Sequence, residues 1–169
     1  INIASNEIIH FIGIGGIGMS GLAQIMNNMG FAIQGSDLSK NKNTERLIKK
    51  GIKVYFGHNQ KNLKKTTMVV ISSAIKETNK ELMAAKNKKL AIFKRGEMLA
   101  NIVSLKKNIV ITGSHGKTTT TSLVANILVE AGLDPTVING GVINSLKNNA
   151  QLGKGEWAVI ESDESDGSF

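Results

Sequence analysis

The sequence contains no cysteine. That excludes a disulfide framework and any cysteine-ligated metal. Histidine is scarce too, at three residues, which leaves no basis for a structural zinc site. Aromatic residues make up 4% of the chain, so little is available to stack on nucleic-acid bases. No apolar run approaches the roughly 18 residues of a membrane-spanning helix. The first residues lack a basic region followed by an apolar core and a small-residue cleavage site, so no secretion signal is read. These absences lead to the expectation of a cytoplasmic protein that partners neither membrane nor nucleic acid.

Positive charge is in excess, at +8. The lysines are scattered in pairs, Lys49-Lys50, Lys64-Lys65, Lys88-Lys89 and Lys106-Lys107. They read as solvated helix faces rather than one basic patch. The 169 residues, 41% of them hydrophobic, allow one domain or two small ones.

Short apolar runs alternate with helix-period segments. Strands are expected at 8–12, 31–34, 54–56, 68–71, 91–93, 108–111, 136–138 and 157–160. Helices are expected at 18–29, 44–50, 79–87, 97–105 and 117–131. In the first helix Leu22, Ile25, Met26 and Met29 share a face. This rhythm predicts an α/β fold of parallel sheets with helices on both faces. Lys106-Lys107-Asn108 reads as a boundary, giving a Rossmann-like domain over 1–104 and the start of a P-loop-type α/β domain over 105–169. The second unit stops soon after its third strand, so the sequence is expected to be a fragment of a longer protein.

Two glycine-rich turns carry the chemistry. Gly13, Gly15 and Gly18 form G-x-G-x-x-G between a strand and a helix. Gly13 permits the tight turn, Gly15 lets backbone approach a diphosphate, and Gly18 lets the helix pack on the strand. The helix N-terminus aims free N–H groups at the anion. Gly16 and Ser20-Gly21 keep the first helical turn small. Asp37, after the second strand, falls where an acid meets a ribose hydroxyl in dinucleotide folds. The motif alone fits NAD, FAD or any nucleotide diphosphate.

The second turn is Thr112-Gly-Ser-His-Gly-Lys-Thr-Thr-Thr-Thr121, after Ile109-Val-Ile111. Lys117 supplies a point charge for nucleotide phosphates, and Thr118 a hydroxyl that can hold Mg²⁺. The standard P-loop glycine, five before Gly116, is replaced by Ile111, and Gly113 gives the shorter G-x-x-G-K-T. His115, inside this loop, reads as positional. Gly140-Gly141 is a further turn. Past the strand 157–160 comes Glu161-Ser-Asp-Glu-Ser-Asp166, where a P-loop enzyme places a metal ligand. Glu161 is the first candidate and Glu164 the second. His58 reads either as surface or as lining the first nucleotide site.

The Gly13–Gly21 loop, Gly35-Ser36-Asp37, Ser72-Ser73-Ala74-Ile75, Thr112–Thr121, Ile138-Asn139-Gly140-Gly141 and the Glu161–Asp166 run occur in that order. Together they resemble the Mur ligase family of peptidoglycan synthesis, specifically its alanine-adding branch. The short P-loop alone resembles the wider superfamily that includes folylpolyglutamate synthase. The resemblance implies three domains, binding a UDP sugar, ATP and an amino acid in turn. It implies that Gly15, Gly16, Ile17 and Gly18 face the UDP diphosphate, with Ser36, Asp37 and Ser73 in the UDP-sugar site. It implies that Gly113, Ser114, His115, Gly116, Lys117, Thr118 and Thr119 hold ATP, with Lys117 catalytic and Thr118 and Glu161 as Mg²⁺ ligands. The implied reaction joins L-alanine to the lactyl carboxylate of UDP-N-acetylmuramate through an acyl phosphate. Gly96 and Lys80 depart from the family, which more often has alanine and proline there. The alternatives are a sister ligase that reattaches recycled tripeptide, an NAD(P)-linked oxidoreductase, and a nucleotide-binding regulatory module without chemistry.

Overall fold

A computed structural model describes residues 7–139 and 150–162. The chain forms two compact units that divide between Met98 and Leu99.

In the first unit, β1 (Ile8–Ile12) leads through the glycine turn into α1 (Ile17–Asn28). Then follow β2 (Ala32–Asp37), α2 (Lys42–Lys49), β3 (Lys53–Phe56), a 3-10 turn (Gln60–Leu63), β4 (Met68–Ile71), α3 (Lys80–Asn87) and β5 (Ala91–Lys94). The five strands are parallel in the order β3-β2-β1-β4-β5. Chain order reverses between β1 and β4, and ligands of open α/β sheets bind beyond the carboxyl ends of strands at such a crevice. Ile9, Phe11, Ile12, Val69 and Val70 are fully buried, because helices cover both sheet faces and leave these strands no solvent side. Helix α1 buries Leu22, Ile25 and Met26, as their spacing predicts, whereas Met29 is 39% exposed. Met29 is the C-cap, where the chain leaves the helix and its core-facing stripe.

Helix α4 (Arg95–Ser104) contains the division between the units. The second unit contains β6 (Lys107–Ile111), α5 (Lys117–Glu130), β7 (Thr136–Ile138), β8 (Ala150–Gln151) and β9 (Trp157–Glu161). Its sheet order is β6-β9-β7-β8, with β8 antiparallel to β7 and the other pairs parallel. Ala158, Val159 and Ile160 of β9 are fully buried. Lys106 corrects the reading of the paired lysines as solvated. It is buried, and its ammonium donates to the carbonyls of Gly153, at 3.3 Å, and Gly155. Burial lowers its pKa, partly opposed by Asp134.

Candidate functional sites

The first turn is built by β2 and α2 as much as by its own glycines. Gly13 has φ +81°, a left-handed conformation that glycine adopts without strain. The Ser36 carbonyl accepts the N–H groups of Gly13 at 2.8 Å and Ile14 at 2.9 Å. Asp37 Oδ2 accepts the Gly15 N–H at 2.8 Å. Asn43 Nδ2 donates to the Gly15 carbonyl at 2.9 Å. Asn41 caps α2 by accepting from the backbone N–H groups of Asn43 and Thr44, while Thr44 Oγ1 accepts the Asn41 N–H at 2.9 Å. That reciprocal box satisfies the free donors of the helix start. It also aligns the α2 terminus with the glycine turn.

This geometry changes the roles expected of three residues. A Cβ on Gly15 would lie 2.7 Å from Asn41 Nδ2 and 2.8 Å from both Asp37 Oδ2 and Thr44 Cγ2. Gly15 therefore makes room for the β2–α2 connection, and its N–H already has a partner. A Cβ on Gly18 would lie 2.6 Å from an Arg95 guanidinium nitrogen, so Gly18 clears space for an arginine rather than for a strand. Ser36 is fully buried. Its hydroxyl donates to Glu81 Oε2 and lies 2.9 Å from His58 Nδ1, so its side chain is engaged in the interior of the first unit. Gly16 and Ile17 are exposed at the start of α1, where no side chain caps the helix. Ser73 is exposed beyond β4. Its neighbour Ser72 abuts the turn, with Cβ 3.4 Å from where a Gly13 Cβ would stand.

Glu81 was not singled out in the sequence. It lies in the first turn of α3 and is fully buried. Besides Ser36, it accepts from Asn62 Nδ2 at 2.6 Å and from the Asn59 N–H at 3.2 Å. His58 Nδ1 lies 3.2 Å away. His10 Nε2 lies at 3.4 Å, within ion-pairing distance but out of hydrogen-bonding alignment. Burial works to raise the Glu81 pKa, but His10, Ser36 and Asn62 outweigh it, and the net shift is downward from 4.5. The carboxylate thus stabilises the fold fully above its unfolded pKa. That contribution is lost as pH falls through the lower folded value. Glu81→Ala strands the buried imidazole and amide, and is expected to cost about 3–5 kcal/mol at neutral pH. In urea melts the gap between wild type and variant should shrink as pH falls below about 5, through the lowered folded value of the carboxylate. A gap that widens in acid would refute the assignment.

In the second unit, Gly116 has φ +75° and forms the N-cap of α5 without a side-chain cap. The Lys117 ammonium reaches back across the loop to the Gly113 carbonyl at 2.6 Å. Ser114 Oγ lies 3.3 Å from His115 Nδ1, and both residues are exposed, as is Thr119. Strand register pairs Ile111, the residue before the loop, with Glu161. The Ser162 N–H closes that end on the Ile111 carbonyl at 2.9 Å. Glu161 is thereby carried to α5, where Thr118 Oγ1 lies 3.1 and 3.2 Å from its two carboxylate oxygens. A hydroxyl and a carboxylate converging beside this glycine loop are hard oxygen donors of the kind Mg²⁺ takes. Among the described residues there is no group of three or more histidine, aspartate or glutamate side chains that could hold a metal. A magnesium site does not need one, since the ion keeps waters and takes further oxygens from phosphates. Gly140, Gly141 and Glu164 lie outside the described residues.

Among the described residues no helix is long and apolar enough to cross a membrane. Residues 8–107 match the Mur ligase family, catalytic domain, and residues 111–163 match the Mur ligase middle domain. The chain is 66% identical over 169 residues to a UDP-N-acetylmuramate–L-alanine ligase of Pelagibacter ubique, covering all of this chain and 36% of that relative. It is 56% identical over 161 residues to the protein of the same name from Azorhizobium caulinodans, covering 95% of this chain and 34% of that one. The chain therefore spans about a third of the length of these curated relatives. Among solved structures, the UDP-N-acetylmuramate-alanine ligase of Thermotoga maritima superposes with a TM-score of 0.66 at 32% identity, covering 90% of this chain and 36% of that one. A Neisseria UDP-N-acetylmuramate:L-alanyl-gamma-D-glutamyl-meso-diaminopimelate ligase does so with a TM-score of 0.66 at 33% identity, covering 95% and 53%. Two consecutive family domains thus fall on the two compact units in order, and the chain belongs to the Mur ligase family.

Proposed function

We propose that this chain carries the UDP-sugar-binding and nucleotide-binding parts of an ATP-dependent ligase that joins L-alanine to UDP-N-acetylmuramate. The observation that carries this reading is the Thr118–Glu161 pair beside Lys117 on a short phosphate loop. The 66% identity to a relative named for this activity supports the choice of substrates. Residues 1–104 would form the sugar-nucleotide domain and residues from 105 the start of the ATP domain. A cytoplasmic location follows from where ATP and UDP sugars are found.

In the proposed reaction a lactyl carboxylate oxygen attacks the γ-phosphorus of ATP. The bond from that phosphorus to the bridging oxygen breaks, leaving ADP and an acyl phosphate. The alanine amine then attacks the acyl carbon, inorganic phosphate departs, and the amine loses a proton. Residues 113–119 would cradle the ATP phosphates with backbone N–H groups at the α5 terminus. Lys117 would place a positive charge where negative charge spreads over the transferring phosphoryl group. Thr118 and Glu161 would hold Mg²⁺, which when bound would supply further positive charge to the phosphate oxygens. No side chain needs to become covalently attached.

The test is phosphate release by the full-length protein. Release should require ATP, UDP-N-acetylmuramate and L-alanine together. Release with tripeptide and not alanine would move the protein to the sister activity that the Neisseria structure's name describes. Release with neither would overturn the ligase reading. The oxidoreductase alternative leaves the second family domain without a role.

A further inference from the structure

Arg95 stands at the first residue of α4, immediately after β5. Its guanidinium lies over Gly18, where an added Cβ would meet a terminal nitrogen at 2.6 Å, Cζ at 3.0 Å and Cδ at 3.2 Å. Gly18 belongs to the first turn of α1. The cation is therefore placed at the amino end of two helices at once, where the peptide dipoles repel positive charge and favour an anion. The first turn of α1 holds no acid. Among the described residues no hydrogen bond or ion pair to a carboxylate engages the guanidinium. Its pKa is lowered by burial alone, with no neighbouring charge to offset it. A half-buried cation in that setting is destabilising for the isolated protein. The exposed Ile17 beside it opens α1 with no side-chain cap over its backbone N–H, whereas the Gly16 N–H donates to the Gly13 carbonyl at 3.3 Å. The Gly15 N–H is already taken by Asp37. Donors for an anion must come from the α1 start and from a neighbouring element, and Arg95 is the charged group that reaches it.

We propose that Arg95 is a ligand of the diphosphate of the UDP sugar, held over Gly18 so that its planar fork and the α1 N–H groups meet the same phosphate oxygens. This rests on the reading of the first unit as the sugar-nucleotide domain and adds a residue from outside both glycine motifs. Arginine suits the role because its rigid fork matches phosphate oxygens in pairs, which a lysine point charge does not. The absence of a side chain at position 18 is part of the same device.

The experiment is calorimetric titration of the chain with UDP and with uridine. Wild type should bind UDP. Arg95→Ala should weaken UDP binding about 10- to 100-fold, the size expected for a lost charge-assisted bond to an anion. Uridine binding should be unchanged. Gly18→Ala should fold, because its methyl meets the far end of a flexible side chain, and it should weaken UDP by displacing the guanidinium. In the Arg95→Ala background, Gly18→Ala should cause no further loss. Unchanged UDP affinity in Arg95→Ala, equal losses for UDP and uridine, or additive losses in the double variant would each overturn the proposal. Wild type failing to bind UDP would instead overturn the sugar-nucleotide reading on which it rests.

Discussion

Lys117→Ala in the full-length protein is expected to lower ligation by about a thousandfold or more while leaving UDP-sugar affinity unchanged. The magnitude is that of removing a preorganised charge from a phosphoryl-transfer site. Lys117 is the only residue of the 112–121 loop with a permanent charge. Its ammonium is already drawn over the loop by the Gly113 carbonyl at 2.6 Å, so little side-chain ordering remains when phosphates arrive. The first glycine turn, proposed above to bind the UDP sugar, lies in the other compact unit, which is why that affinity should not move. Phosphate release measures the first quantity and calorimetry the second. Turnover within a few-fold of wild type would remove Lys117 from the chemistry.

The second large effect is expected at Gly15. Gly15→Val should weaken UDP-N-acetylmuramate binding far more than ATP binding. It should also destabilise the first unit by about 1–3 kcal/mol, the usual cost of forcing extra methyl groups into a packed place. The clash is with the protein itself, since Asn41, Asp37 and Thr44 all stand within 2.8 Å of the new Cβ position. The valine must push the α2 terminus away and break the Gly15–Asp37 bond. Thermal melts should record the destabilisation alongside the weaker binding. A variant as stable as wild type and with unaltered UDP-sugar affinity would show that neither the packing nor the turn matters as described.

The periodicity of the chain located the strands and helices because parallel strands buried on both faces read as apolar runs. Ile8–Ile12, Met68–Ile71 and Trp157–Glu161 are examples. The two-residue strand Ala150–Gln151 and the 3-10 turn at Gln60–Leu63 are too short to show a period. The loop between β6 and α5 was legible because the G-K-T motif and its flanking strand and helix are contiguous in sequence. Glu161 was legible from its place after an apolar strand, and register then brought it to Thr118. Long-range partners were not. Nothing adjacent to Glu81 announces that His10, Ser36 and Asn62 will surround it. Nothing around Gly18 announces an arginine 77 positions later. The Asn41–Thr44 box could have been read as a helix start from its side chains alone, but its hold on Gly15 depends on the fold.

The anchoring of the first glycine turn bears on what binding costs. Gly13, Ile14 and Gly15 each have their N–H satisfied by the β2 terminus, and the Gly15 carbonyl is held by Asn43. The backbone of the turn is therefore fixed by protein partners without any contribution from a ligand. A sugar nucleotide arriving there would order few residues, so most of its contact energy would be left to appear as affinity instead of being consumed by freezing a loop.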